Sequence, residues 1–133
     1  MKKFLMLVIA GIATMSFLGC GTGVPVYNIE NNTISEVANK KTSMMEVEKA
    51  IFRAGGGLGW IMKKSSDGKI QGTLTLRKHV ATVLISYNSN EYSITYKDSS
   101  NLDYNSAENT IHKNYNSWIQ NLNKGIQVQL SML

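Results

Sequence analysis

Ser66-Asp67-Gly68-Lys69-Ile70-Gln71-Gly72-Thr73-Leu74-Thr75-Leu76 places a turn directly before a strict apolar and polar alternation. Before that turn, Leu58, Trp60 and Met62 alternate in the same way. A period of two means a strand with one face turned to a core, and Asp-Gly between two such runs marks a hairpin. A three-residue loop over 66–68 pairs Ser65 with Lys69, which sets Trp60 opposite Leu74 and Met62 opposite Gly72. The inward residues then agree on one face.

Two more strands follow. Ala81, Val83, Ile85 and Tyr87 alternate, then Tyr92, Ile94 and Tyr96. If Tyr87 faces Tyr92, Ile85 faces Ile94 and Val83 faces Tyr96, again with one apolar face. A two-residue turn at Lys78-His79 would require backbone angles that neither residue favours, so a bulge or wider loop is expected there.

Helices flank this meander. Ser43-Met44-Met45-Glu46 has the form of a capping box, with Val47, Ala50, Ile51 and Ala54 at helical spacing behind it. Gly55-Gly56-Gly57 reads as the stop. A second helix is expected after Ser99–Tyr104, capped by Asn105 or Ser106, with Ile111, Tyr115, Trp118, Ile119 and Leu122 as its stripe. Asn123-Lys124-Gly125 reads as its end, and Ile126–Leu133 as a short strand or apolar tail. The expected fold is α+β: helix, four-stranded antiparallel meander, helix, with both helices on one face of the sheet.

The start of the chain has another character. Lys2 and Lys3 precede an apolar run from Phe4 to Leu18, followed by Gly19 and Cys20, the only cysteine. This is the pattern of a cleavable export signal, and the run is shorter than a bilayer-spanning helix of about 20 residues. Its end resembles a lipobox, although Phe17 and Leu18 depart from the usual residues there. The expectation is a lipoprotein signal over 1–19 and lipidation at Cys20. Residues 20–41 are read as a polar tether with an edge strand near Val24–Ile29, and 42–133 as one domain. Extended, such a tether spans about 65 Å.

Removing Lys2 and Lys3 leaves 12 basic and 9 acidic residues, a net +3 against +5 for the whole chain. So small and scattered an excess argues against nucleic-acid binding. One cysteine excludes an internal disulfide, so packing alone holds the domain. Two histidines without HxxxH spacing make no metal set, and nothing points to a cofactor.

One cluster bears on chemistry. In the register above Ala81 faces Asp98, so His79 lies diagonal to Asp98, about 7–8 Å away between backbones. Ser99 and His112 follow nearby, and a Ser/His/Asp trio is a route to hydrolysis or group transfer. The plainer alternative is that these groups cap strand ends and the helix start. Trp60, Trp118 and the tyrosines read as core, Lys63-Lys64 as a solvated hairpin tip.

Gly59-Trp60, Gly72-x-Leu74-x-x-Arg77-x-His79-x-Ala81-x-Val83, Tyr92-x-Ile94-x-Tyr96-x-Asp98-Ser99-x-Asn101-Leu102-x-Tyr104 and Ile111-His112-x-x-Tyr115-Asn116-x-Trp118-Ile119 together resemble a group of small uncharacterised lipoproteins of Gram-negative bacteria. The resemblance spans about residues 44–126. It implies a single α+β domain in the envelope, carries no activity, and directs attention to Arg77, His79, Asp98, Ser99, Asn101, His112, Tyr115 and Asn116. The functional expectation is a non-catalytic module, held to the membrane by its lipid, that binds an envelope protein or wall component through the polar end these candidate binding residues form around His79 and Asp98. Gly21 in place of an acidic residue tilts the location to the outer membrane, facing the periplasm. The alternative is a small hydrolase or transferase using His79, Asp98 and His112.

Overall fold

The computed structural model describes residues 23–133. The expected export signal over 1–19 and the expected lipidation at Cys20 lie outside the described residues. Strands β1 (Val24–Pro25) and β2 (Ile29–Thr33) come first, then helix α1 (Met44–Gly57). Strands β3 (Ile61–Ser66), β4 (Lys69–Leu76), β5 (His79–Tyr87), β6 (Glu91–Ser100) and β7 (Thr110–Ile111) follow, and helix α2 (Lys113–Ser131) closes the chain. The class is α+β, as expected. The sheet, however, has five antiparallel strands in the order β2-β6-β5-β4-β3, and β1 pairs separately with β7.

The fifth strand corrects the tether reading. Residues 24–33 belong to the folded body: Ile29 pairs with Ile94 and is buried, and Ile34 is buried just beyond it. Ile29 is the one strongly apolar residue of β2, so the segment has no local alternation to reveal it. A register shift between Ile29 and Asn32, with Asn31 at φ 51°, bends this edge and discourages pairing with other chains.

Most of the meander follows the expected pairing. Tyr87 faces Tyr92, Ile85 faces Ile94, Val83 faces Tyr96 and Met62 faces Gly72. Three details differ. Ser66, not Ser65, pairs with Lys69, and Ser65 is displaced into a bulge. The β4–β5 link is a tight two-residue turn at Arg77-Lys78, with Leu76 opposite His79 and Arg77 in the left-handed region at φ 57°. The third is an irregularity in β6: Val83 faces Tyr96 but Thr82 faces Asp98, so Lys97 is an extra residue.

Both helices share one core with the inward face of the sheet. Helix α1 carries the capping box, Ser43 Oγ accepting from the Glu46 N–H and Glu46 accepting from the Ser43 N–H. The glycines do not stop it. They form its last turn, and Gly55 is where the helix meets Met62 of β3, whose Sδ would lie 2.6 Å from a Cβ there. Nor does Gly125 end α2. Ile119, Leu122, Ile126 and Leu130 continue one buried stripe, so the tail is helix and not strand. A Cβ at Gly125 would lie 3.5 Å from Ala54 Cβ, so the glycine lets the helices approach closely.

The opposite face of the sheet carries Lys69, Gln71, Thr73, Thr82, Ser86, Ser93 and Thr95, all exposed or half-buried. An antiparallel sheet with one solvated face has this pattern.

Candidate functional site

Seven of the eight singled-out residues lie at one end of the sheet or at the start of α2; Tyr115 lies in the core beside them. That end holds the Arg77-Lys78 turn, the close of β6, the 101–109 loop, β1 with β7, and the start of α2.

Most of the polar groups there are engaged with backbone. His79 Nδ1 donates to the Asn101 carbonyl at 2.6 Å, since a carbonyl can only accept. Asn101 answers through Nδ2 to the Lys78 carbonyl at 2.7 Å, tying the β4–β5 turn to the loop after β6. Asn101 itself takes φ 57°, a conformation its side-chain type tolerates. Arg77 stands exposed on the turn and makes no side-chain hydrogen bond or ion pair among the described residues.

His112, and not Asn105 or Ser106, caps α2. Its Nδ1 accepts from the Asn114 N–H at 3.1 Å and its own N–H donates to the Leu102 carbonyl at 2.8 Å. Asn105 instead turns the loop, accepting from the Ala107 and Glu108 N–H groups. Asn116 holds residues 23–27, the strap that carries β1: Oδ1 accepts from the Tyr27 N–H at 3.0 Å and Nδ2 donates to the Pro25 carbonyl at 2.9 Å.

The Lys97 bulge takes the expected trio apart. Side chains alternate faces, so one extra residue reverses the facing of everything beyond it. Asp98, opposite Thr82, joins the solvated face; Ser99, opposite Ala81, turns toward the helices. Asp98 Oδ1 accepts from the Ser99 N–H at 2.8 Å. Ser99 Oγ shares a 2.8 Å hydrogen bond with the Tyr96 hydroxyl. Among the described residues, no hydrogen bond or ion pair joins His79 to Asp98, or Ser99 to either histidine. The expected proximity of His79 and Asp98 through an Ala81–Asp98 pairing is therefore corrected. The capping alternative describes the geometry. The described residues also hold no group of three His, Cys, Asp or Glu side chains placed for a metal.

Sequence reasoning missed an aromatic group at this end. Tyr104 stacks on Tyr96 with centroids 4.2 Å apart, and Tyr96 meets the edge of Tyr115 at 5.7 Å. Tyr96 and Tyr104, with Asp98 and Asp103, line a concavity of about 540 Å³. Tyr115 is fully buried, and burial pushes its phenol pKa well up. Its hydroxyl is the buried polar side-chain atom without a hydrogen-bond partner among the described residues. The inward parity of Tyr96 marked it as core, but Tyr104 follows a left-handed Asp103 and no periodicity marks it. A second concavity, about 550 Å³, lies at the opposite end, lined by residues of the 33–42 segment with Ser89 and Asn90.

No family model, curated protein or solved structure matches the chain.

Proposed function

We propose that the chain is a lipid-anchored protein of the bacterial envelope, held at Cys20 and facing the periplasm, that works by binding and not by catalysis. The partner is an envelope protein or a wall component. One observation carries the non-catalytic part: the histidines and Ser99 that a hydrolase would need are bonded to backbone or to a tyrosine, with no base in contact with a nucleophile. The anchoring part rests on the Lys2-Lys3, Phe4–Leu18 and Cys20 pattern. The outer membrane is favoured by Gly21. Among the described residues no helix is long and apolar enough to cross a membrane, so the lipid is the attachment proposed.

The far-end concavity of the 33–42 segment is the surface assigned to the partner. It mixes polar side chains with Ile34 and Ala38, it lies away from the strap, and it includes the exposed Lys41. Photo-cross-linking in living cells, with the reactive side chain at Asn90, tests this. The expected result is one dominant adduct, an envelope protein or a wall fragment. Absence of any adduct at Asn90, with a strong one from the outer sheet face at Thr82, would overturn the assignment.

A further inference from the structure

The strap that begins the folded body has a consequence for how the protein sits. Gly23 is already packed: a Cβ there would lie 3.0 Å from Thr110 Cβ and Oγ1. Val24 pairs with Ile111 and Pro25 with Thr110, Val26 N–H donates to the Asn109 carbonyl, and Asn116 clamps the strap from α2. Order therefore reaches to within three residues of Cys20. Three extended residues span about 11 Å at most. The headgroup region of a leaflet is itself about 5–7 Å deep. A lipidated Cys20 then leaves the domain no room to stand off.

Resting on the reading that Cys20 is lipidated, we propose that the domain lies directly on the phospholipid surface in a fixed orientation. The end made of β1, β7, the 101–109 loop and the start of α2 meets the headgroups. The opposite end, with the Asp67-Gly68 turn and Asn90, points away. Strand β4 joins the two ends and is about 25 Å long, so the outward end stands clear of the headgroups.

The surface at the anchored end suits a bilayer interface without being sticky. Tyr27, Leu76 and Tyr104 are its large exposed apolar-bodied side chains, and tyrosine favours the headgroup level. Arg77, Lys78 and Lys113 are offset by Asp98, Asp103 and Glu108. With no basic excess, the lipid and the short leash impose the orientation. The same surface lacking the lipid has little affinity for anionic vesicles. The orientation also hides the His79–Asn101 end and presents the far-end concavity.

The test uses full-length lipidated protein in nanodiscs of phosphatidylethanolamine and phosphatidylglycerol, with part of the lipid carrying a headgroup nitroxide. Ala107→Cys places a fluorophore on the 101–109 loop, and Asp67→Cys places one on the far turn; both sites are exposed. Intact mass is recorded first. The expected result is quenching several-fold stronger at 107 than at 67, with the difference lost when a long Gly-Ser linker is inserted after Thr22. Equal quenching at both sites, or stronger quenching at 67, on protein whose mass shows the lipid, overturns the orientation alone. A mass showing a free Cys20 thiol overturns the anchor reading and the orientation with it. Linker-extended protein that keeps the difference overturns the short leash as its cause.

Discussion

Thr82, and not Ala81, is the cross-strand neighbour of Asp98. The extra residue Lys97 sends the Asp98 carboxylate to solvent and brings Ser99 to the Tyr96 hydroxyl. Deleting Lys97 removes the bulge and leaves Asp98 directly after Tyr96, still opposite Thr82 on the solvated face, with Ser99 still opposite Ala81. The apolar face keeps its pairing, so the deletion is expected to leave the domain folded, at a cost of about 0.5–3 kcal/mol for reshaping the strand. Lys97→Ala keeps the bulge and loses only an exposed contact to Gln71, with an expected change below about 0.5 kcal/mol. Urea denaturation of both variants checks the pair.

Gly55 and Gly56 are neighbours in the last turn of α1 with opposite expectations. Gly55→Ala forces the Met62 side chain aside, since Cγ, Sδ and Cε would all lie within 2.8 Å of the new methyl. It is expected to destabilise by about 1–3 kcal/mol. Nothing lies within 4 Å of a Cβ at Gly56, so Gly56→Ala is expected to stabilise by about 0.5–1 kcal/mol through helix propensity. Thermal melting of the two variants should move in opposite directions.

Tyr115→Phe removes the unpartnered buried hydroxyl and keeps the ring against Tyr96. An unsatisfied buried polar group costs about 1–3 kcal/mol. The variant is therefore expected to be at least as stable as the parent, and a clear loss in denaturant midpoint would show that the hydroxyl has a partner.

Glu48 gives the fold its pH sensitivity at the α1–sheet contact. The Tyr87 hydroxyl donates to Oε2, and Lys64 Nζ lies 3.1 Å away; together they hold the carboxyl below its ordinary value of 4.5. A depressed folded pKa adds stability above the unfolded value, and that stability is lost as pH falls through the folded value. Tyr87→Phe removes the larger cause. Its stability deficit is expected to be about 1–2 kcal/mol at neutral pH and to shrink in acid below the folded pKa. Urea titrations at several pH values and NMR titration of the Glu48 carboxyl measure both effects.

The legible part of the fold was the part written in local periodicity. Alternation in Val83–Tyr87 and Tyr92–Tyr96 carries the β5–β6 register, because a short loop allows few ways of matching two apolar faces. Ser43 and Glu46 announced the start of α1 for the same reason: capping is a contact over three residues. Lys97 carried no mark of its bulge, since an inserted residue shows only by the change of face beyond it. Strand β2 was hidden because Glu30-Asn31-Asn32-Thr33 pairs with β6 from 60 residues away and buries almost nothing apolar itself. Gly125 misled because glycine both stops helices and lets them touch. The distance of Ile126 and Leu130 from Leu122, four and eight residues, fits a continuing helix as well as the alternation of a tail. At the site, residue types left catalysis open as the alternative to capping, and hydrogen-bond partners decide roles: His79 and His112 use their Nδ1 atoms on the backbone.

The central claim is a membrane anchor joined almost without slack to a folded, non-catalytic domain. Mass spectrometry of the N-terminal peptide of the protein purified from a bacterial envelope tests it most directly. The account expects residues 1–19 to be absent and Cys20 to be the first residue, carrying a diacylglyceryl group on sulfur. A mature chain that begins elsewhere, or begins at Cys20 with a free thiol, would contradict it.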